Sequence, residues 1–100
     1  MAKGTKFNDD LLEKLRDSKF ASEYISAALE EGSEIYLIKA LNNVVKAHGP
    51  SKIAKATHLS RQAIYKMFSP KGNPTLQSVY SVLEALGLKI TIEPKRKRSA

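Results

Sequence analysis

The stretch IAKATHLSRQAIYKMF, residues 53–68, has the length of two short helices and too many polar side chains for a core segment. Ala54 is a small residue that lets a second helix cross close to the first. Ile53 and Leu59 are apolar and hold the pair on a core. Ser60 is well placed as the N-cap of the second helix, because its hydroxyl can accept a bond from a first-turn amide. The pattern predicts a helix-turn-helix.

The second helix of this pair has an anchored face and a free face. Ile64 and Met67 supply the anchors, and polar side chains occupy the positions between them. Arg and Gln are suited to bidentate contacts with guanine and adenine edges, and a recognition helix carries such residues into the major groove. The predicted base-reading residues are Ser60, Arg61, Gln62, Tyr65 and Lys66. The predicted phosphate contacts are Ser51, Lys52, Lys71 and Asn73.

The charge of the chain is unevenly distributed. Residues 1–37 hold five Lys/Arg against eight Asp/Glu, whereas residues 38–100 hold twelve against two. A basic domain of this size usually meets a polyanion, and nucleic acid is the first candidate. The acidic front end predicts a second partner of another kind. A different interpretation is a protein-interaction module whose helix-turn-helix is only structural.

Composition excludes several classes of function. One hundred residues make one domain, and the lack of cysteine excludes disulfides, thiol catalysis and cysteine–zinc sites. His48 and His58 have too few partners for a metal site or a histidine-based nucleophile. We therefore expect no metal, no cofactor and no enzyme activity. No apolar run is long enough for a membrane span and no signal peptide is recognisable, which predicts a cytoplasmic protein.

Capping residues and glycines predict further helices around the central pair. The loop SPKGNP at residues 69–74 separates the recognition helix from the last helix, because Pro, Gly and Asn cluster there. The predicted helices run from Asn8 with acids in the first turn, from Asp17–Ser18 to Gly32, from Ser33 to Gly49–Pro50, and from Thr75 to Gly87.

The hydrophobic period changes after the last helix. Leu88, Ile90 and Ile92 alternate with polar residues, which predicts a short strand over residues 88–93 with one buried face. Proteins normally pair or cover a lone strand, because its backbone groups are otherwise unpaired. We therefore expect a homodimer in which Leu88, Ile90 and Ile92 meet the same segment of a second copy. The alternative is a strand that packs flat on its own helices.

Two blocks of sequence carry a family resemblance. They are LLEKLRDSKFASEYISAALEEG at 11–32 and IAKATHLSRQAIYKMFSPKGNPTLQSVYSVLEALGLKITIE at 53–93. Together they resemble the addiction-module antidote proteins, antitoxins of the Xre/HigA-like helix-turn-helix class. The second block alone would indicate only an Xre-type DNA-binding domain, and the first block in front of it points to the antidote family.

The resemblance implies a fold and a function. The fold would be all-α, an Xre/lambda-repressor-like helix-turn-helix domain with extra N-terminal helices and one short C-terminal β-strand. The function would be to neutralise a basic RelE/ParE-like toxin by direct binding and to repress its own operon at a double-stranded DNA operator. The five base-reading residues would then face the DNA. The rival from the same class is a stand-alone or prophage Xre-type regulator with no toxin.

The expected organisation follows from these blocks. It comprises a flexible N-terminus at 1–7, N-terminal helices at 8–33, a helix-turn-helix domain with its strand at 34–94, and a basic tail at 95–100. The tail is either solvated or an arm on phosphates. The N-terminal helices are acidic and apolar, which suits a basic toxin, although they could also merely complete the core. The predicted toxin contacts are Leu12, Leu15, Phe20 and Tyr24.

The turn of the helix-turn-helix departs from the usual pattern. His58 stands where the class usually has Gly, at a position that takes a positive φ. A residue other than Gly in that conformation costs about 1–2 kcal/mol, although His is among those found there more often. We interpret His58 as a tolerated substitution, with a phosphate contact by its imidazole as the alternative.

Overall fold

The computed structural model describes residues 5–95 of the chain, with side chains from residue 9 onward. Residues 5–95 form six helices and no strand, which confirms the predicted all-α class. The helices are α1 (Thr5–Lys14), α2 (Ser18–Glu30), α3 (Glu34–His48), α4 (Pro50–Thr57), α5 (Arg61–Met67) and α6 (Leu76–Ala85). No helix among these residues is both long and apolar enough to cross a membrane.

Three helices begin at a side-chain cap. The Asp17 carboxylate accepts a hydrogen bond from the Phe20 amide at 3.0 Å, at the start of α2. The Ser60 hydroxyl accepts from the Ala63 amide at 2.9 Å, and Thr75 caps α6 in the same way at 3.0 Å from the Ser78 amide. Each cap satisfies an amide that has no partner inside its helix. The predicted starts at Asp17, Ser60 and Thr75 are confirmed.

Helix α4 is joined to α3 by the shortest of the connections. Gly49 has φ 100°, a conformation that favours glycine, and it is at once the C-cap of α3 and the N-cap of α4. Pro50 follows at the first position of α4, where the missing amide hydrogen would have no partner anyway. The predicted break at Gly49–Pro50 is therefore confirmed, and it fixes where α4 leaves α3.

One core joins the front helices α1 and α2 to the other four helices. Leu15, in the turn after α1, is 0% exposed and belongs to the same cluster as Val44 of α3 and Val82 of α6. The buried members of α2, Ala21 and Ile25, lie in it too. The largest fully buried side chains are Phe68, Leu15, Leu41, Ile53, Ile64, Val44, Val45 and Val82. Residues 34–95 alone would therefore expose apolar surface that the front helices cover.

Polar contacts also tie the front end to α3. A ring nitrogen of His48 lies 3.2 Å from the Leu15 carbonyl oxygen, which can only accept, so the ring N–H donates. Arg16 Nε donates to the Ala47 carbonyl at 3.4 Å. His48 is thus a structural residue at the end of α3.

The start of α1 differs from the prediction. The helix begins at Thr5, three residues before Asn8, and therefore includes part of the segment predicted as flexible. The interpretation of Asn8 as a cap is wrong, and Asp9 and Asp10 do not lie in the first turn. Nothing in residues 5–7 interrupts a helix, and the exposed carboxylates of Asp9 and Asp10 are tolerated inside one. Residues 1–4 lie outside the described residues.

The predicted strand is not formed within a single chain. Residues 88–95 lie in neither a helix nor a strand. The Leu88 amide donates to the Leu83 carbonyl at 2.9 Å, which closes α6, and the Leu88 side chain packs on the core. An alternating pattern forms a strand only where a second strand pairs with it, and residues 5–95 provide none. Residues 96–100 of the predicted basic tail lie outside the described residues.

Candidate nucleic-acid interface

The turn between α4 and α5 is built around His58. This residue has φ 64° and ψ 22°, the left-handed conformation expected for the turn, and it is the one residue other than glycine with positive φ among the described residues. Thr57 supports the turn on both sides. Its hydroxyl donates to the Ile53 carbonyl at 2.8 Å and accepts from the Leu59 amide at 3.3 Å. This side-chain bridge sets the path from α4 to α5.

Helix α5 has one buried face and one exposed face. Ile64 is 1% exposed and Phe68, the C-cap, is 2% exposed, while Ala63 and Met67 are half-buried. The five predicted base-reading residues all lie on the exposed face or at the N-cap: Ser60, Arg61, Gln62, Tyr65 and Lys66. A short helix held by so few anchors must leave its other side chains in solvent. The structure therefore brings the five residues together, and their contact with bases stays a prediction.

Arg61 and Tyr65 form a pair on the exposed face. Arg61 Nη2 donates to the Tyr65 hydroxyl at 3.1 Å, and Arg61 Cζ lies 5.6 Å from the Tyr65 ring centroid. A guanidinium over an aromatic ring is attracted by the ring quadrupole, with about 0.5–1 kcal/mol at exposed sites. Tyr65 is itself 44% exposed. The ring thus restricts the orientation of Arg61, a role that the sequence pattern did not reveal.

The predicted phosphate contacts lie on either side of α5. Ser51 and Lys52 are exposed in the first turn of α4, and Lys71 and Asn73 are exposed in the loop after α5. Lys55 is also exposed on α4, although the sequence interpretation omitted it. Its position one turn after Lys52 could have identified it.

The loop after α5 is packed tightly on the end of that helix. The Ser69 hydroxyl donates to the Lys66 carbonyl at 2.8 Å, and the Gly72 amide donates to the Ser69 carbonyl at 2.8 Å. A Cβ on Gly72 would collide with the backbone carbonyls of Met67 and Lys66. Gly72 is therefore required by a close approach. The sequence interpretation recognised the loop and missed this contact.

The electrostatics of this half are one-sided. Residues 35–83 contain no Asp or Glu and seven Lys or Arg, and they include α4, α5 and the loop after α5. The nearest carboxylates along the chain are Glu34 and Glu84. In space Glu84 of α6 lines a pocket with Thr57 and His58, so one carboxylate lies beside the turn. The excess of basic residues around it still attracts a polyanion and raises its association rate.

The predicted toxin contacts are only partly available. Leu15 is 0% exposed, so its assignment as a surface contact is wrong, because the core between α1 and α3 takes it up. Leu12, Phe20 and Tyr24 are half-buried and pack against the core. Apolar periodicity cannot tell which side of an extra helix faces the rest of the protein, and this accounts for the error.

The predicted dimerisation residues also differ in how exposed they are. Leu88 is half-buried, whereas Ile90 is 42% and Ile92 is 92% exposed. The segment 87–91 and α2 enclose an open groove of about 430 Å³ whose apolar lining includes Ile25, Leu29 and Leu83. No group of three or more His, Asp or Glu residues that could hold a metal ion occurs in the described part of the chain.

One protein family matches nearly all of the described residues. A family model with the description "probable addiction module antidote protein" matches residues 5–94. The chain belongs to this family. The match covers α1 and α2 as well as α4 and α5, so both pairs belong to the antidote unit. An antidote acts on a toxin, and family membership therefore gives the chain an antitoxin role and a toxin partner in general terms.

One curated relative also matches most of the chain. It is a protein of Haemophilus influenzae strain Rd, described as an uncharacterised protein. The two are 31% identical over 87 residues, which cover 87% of this chain and 90% of the relative. No solved structure matches the chain.

Proposed function

We propose that this antidote protein represses its own operon by binding a DNA operator through α5. The observation that carries the proposal is the exposed face of α5, where Arg61 and Gln62 occupy the first turn over the buried Ile64. In this proposal the protein belongs to the Xre/HigA-like helix-turn-helix class. Arg and Gln would each make bidentate contacts with a base edge, and such a pair discriminates by about 1–3 kcal/mol.

The other exposed residues of this half would position the duplex. Lys52 and Lys55 on α4 and Lys71 in the loop would contact phosphates, and these contacts hold the register of α5 in the groove without reading sequence. The amides at the start of α4 would add backbone donors, because a helix N-terminus attracts a phosphate. Lys66 lies one turn beyond Gln62 and would extend the contact along the groove.

The second part of the proposal is direct binding of a basic RelE/ParE-like toxin by the front end. All eight acidic residues of the front end are exposed: Asp9, Asp10, Glu13, Asp17, Glu23, Glu30, Glu31 and Glu34. Their charge would repel phosphate and attract a cationic protein, which separates the two binding functions on one small domain.

The third part of the proposal is a homodimer. Ile92 and Ile90 are exposed on a segment without regular secondary structure, and pairing with the same segment of a second copy would cover both. A two-fold dimer would also present two α5 helices to the half-sites of a palindromic operator. Sedimentation of the Ile90→Lys/Ile92→Lys variant tests it: we expect a monomer, and an unchanged dimer would rule out this interface.

The DNA-binding test compares side chains of the same type in different places. Binding of a duplex from the promoter of its own gene, and of a scrambled duplex, is measured by fluorescence anisotropy. Gln62→Ala and Arg61→Ala should each lose about 1–3 kcal/mol on the operator. Gln77→Ala, which changes an exposed glutamine in the first turn of α6, should have no effect. Unchanged affinity and sequence preference in the double variant at 61 and 62 would refute α5 as the recognition helix.

The phosphate contacts have a separate signature. Lys52→Ala should weaken binding to both duplexes alike and reduce the slope of log K against log salt by about 0.9. Lys19→Ala, on the front end, is the matched control and should leave binding of both duplexes unchanged.

Toxin binding is tested by co-purification of the full chain with the product of the adjacent gene. Operator binding without any binding of that product would support a stand-alone Xre-type regulator instead.

A further inference from the structure

An open groove of about 330 Å³ runs between α2 and α3. Its floor is shallow because the residues below it are alanines, among them Ala28 and Ala40, which are 9% and 5% exposed. Tyr24 and Tyr36 also line the groove, and Tyr36 is 51% exposed. Two tyrosine side chains and a floor of alanine methyl groups thus line the same groove.

The Tyr24 side of this groove is held in place before any partner arrives. The Tyr24 hydroxyl accepts a hydrogen bond from Asn43 Nδ2 at 2.9 Å, which links α2 to α3. The Phe20 and Tyr24 rings are stacked, with centroids 6.5 Å apart and planes 17° from parallel. A side chain that is already fixed loses little entropy when a partner packs on it. Tyr24 therefore suits a binding surface, whereas Leu15 belongs to the core.

The charge of the groove selects a cation. The Glu31 side chain lines it and is exposed, and Glu30 and Glu34 are exposed on the two helix ends that meet at this corner. Lys39 is the one basic residue in the lining. The lining thus holds one carboxylate and one ammonium, and Glu30 and Glu34 at the adjoining helix ends add negative charge beside it, which suits a cationic side chain and repels phosphate.

The position of Glu30 and Glu31 also argues for binding over stability. Glu30 is the last residue of α2 and Glu31 is its C-cap, so both carboxylates lie at the negative end of the helix dipole. Acids are unfavourable there, whereas Glu34, in the first turn of α3, is favourable. A stabilising role does not explain carboxylates at the wrong end of a helix, but attraction of a cation does.

We propose that the α2–α3 groove is the docking site of the toxin, and that an arginine side chain of the toxin lies between Tyr24 and Tyr36 with its guanidinium on Glu31. This inference rests on the proposed toxin binding and locates it. Arginine fits better than lysine, since its planar guanidinium stacks on an aromatic face while it pairs with a carboxylate. The exposed Tyr36 would be the central contact, because aromatic residues dominate binding energy at such interfaces.

The test measures affinity of the full chain for the product of the adjacent gene, by calorimetry at low and high salt. Tyr36→Ala should weaken binding about 30-fold, as the loss of a central aromatic contact does. Glu31→Gln should weaken it about 10-fold and reduce the salt dependence. The matched controls are Tyr80→Ala and Glu84→Gln, both at exposed positions of α6, and both should stay within about two-fold of the original chain.

Thermal unfolding of the same variants supplies a second readout. Glu31→Gln should raise the Tm by about 2 °C while it weakens toxin binding, because it removes a carboxylate from the negative end of α2. Glu34→Gln removes one from the favourable end of α3 and should lower the Tm. A merely structural role for Glu31 predicts the opposite sign, a lower Tm together with any loss of binding.

The outcomes separate the inference from the function on which it rests. Full affinity in both Tyr36→Ala and Glu31→Gln would overturn the groove as the docking site and leave toxin binding intact. Failure of the unaltered chain to bind the product would overturn both. A shift from dimer to monomer in Tyr36→Ala, seen by sedimentation of the chain alone, would assign the groove to self-association and also overturn the inference.

Discussion

The α4–α5 pair and the α1–α2 pair use their apolar residues in different ways. In α4 and α5 the apolar residues are few, and the best anchors, Ile53 and Ile64, are 2% and 1% exposed. The front end has more apolar residues than the core takes up. Leu15 is 0% exposed and lies in the core, whereas Leu29 is 57% exposed. On a helix with few apolar residues, those residues face the core and the polar ones have to be exposed. On a helix with many apolar residues, a given one can lie in the core or on the surface. The same comparison explains why the exposed residues of α5 were easier to predict than those of the front helices.

The largest expected effect concerns the core that both regions share. Leu15→Ala should lower the free energy of unfolding by about 2–5 kcal/mol, because it leaves a cavity in a close-packed site. Urea unfolding followed by circular dichroism measures it. Leu12→Ala, at a half-buried position nearby, is the control and should lose clearly less. Equal small losses in both variants would mean that the front end is a surface addition with no part in the core.

This core is also where prediction from sequence had its limit. Helix ends were predictable at Asp17, Ser60 and Thr75, because capping depends on one side chain and an amide a few residues away. The assignment of Leu15 was not, since it depends on how α1 packs against α3. The strand at 88–93 needed a partner strand, which a single sequence cannot supply.

The candidate site was likewise predictable from sequence only in part. The positions on α5 followed from the helical period alone, whereas the Arg61–Tyr65 bond at 3.1 Å and the close approach at Gly72 depend on side-chain rotamers and the loop path. Lys55 could have been predicted, because it follows Lys52 on the same helix. Contacts that depend on rotamers or on a loop path therefore required the structure.

The second expected effect concerns the loop that follows α5. Gly72→Ala should lower stability by about 1–3 kcal/mol, since its Cβ would force the Met67 and Lys66 carbonyls to move. It should also lower DNA affinity, because Lys71 and Asn73 flank the altered position. Gly87→Ala is the control: its φ of 80° strains an alanine, but no atom lies within 4 Å of the added Cβ. If both variants lose stability but only Gly72→Ala loses DNA affinity, the loop lies at the DNA. If Gly72→Ala binds DNA as tightly as Gly87→Ala does, the loop is not part of the interface.

A smaller effect distinguishes a base-reading residue from one that positions it. Tyr65→Phe keeps the ring and removes the hydroxyl that accepts from Arg61, and operator binding should weaken by about 0.5–1.5 kcal/mol. The loss should fall on the sequence preference at the base that Arg61 contacts, with binding of a scrambled duplex unchanged. Tyr80→Phe on α6 is the matched control. A preference that survives Tyr65→Phe would mean that Arg61 does not need this hydroxyl, and a loss on both duplexes would indicate a phosphate contact by Tyr65 itself.

The smallest expected effect is at the turn that joins α4 to α5. His58→Gly removes a left-handed strain of about 1–2 kcal/mol, and it adds about 0.5–1 kcal/mol of backbone entropy to the unfolded chain. The net result should be a gain in stability between about 0 and 1.5 kcal/mol, measured by urea unfolding. His58→Ala keeps the strain and removes the same imidazole, so it should not gain stability. If the imidazole contacts a phosphate, both variants bind the operator and the scrambled duplex more weakly; if His58 is only a tolerated turn residue, both bind as the original chain does. The exposed position of His58 allows either result, and agreement between the two variants separates the contact from the backbone effect.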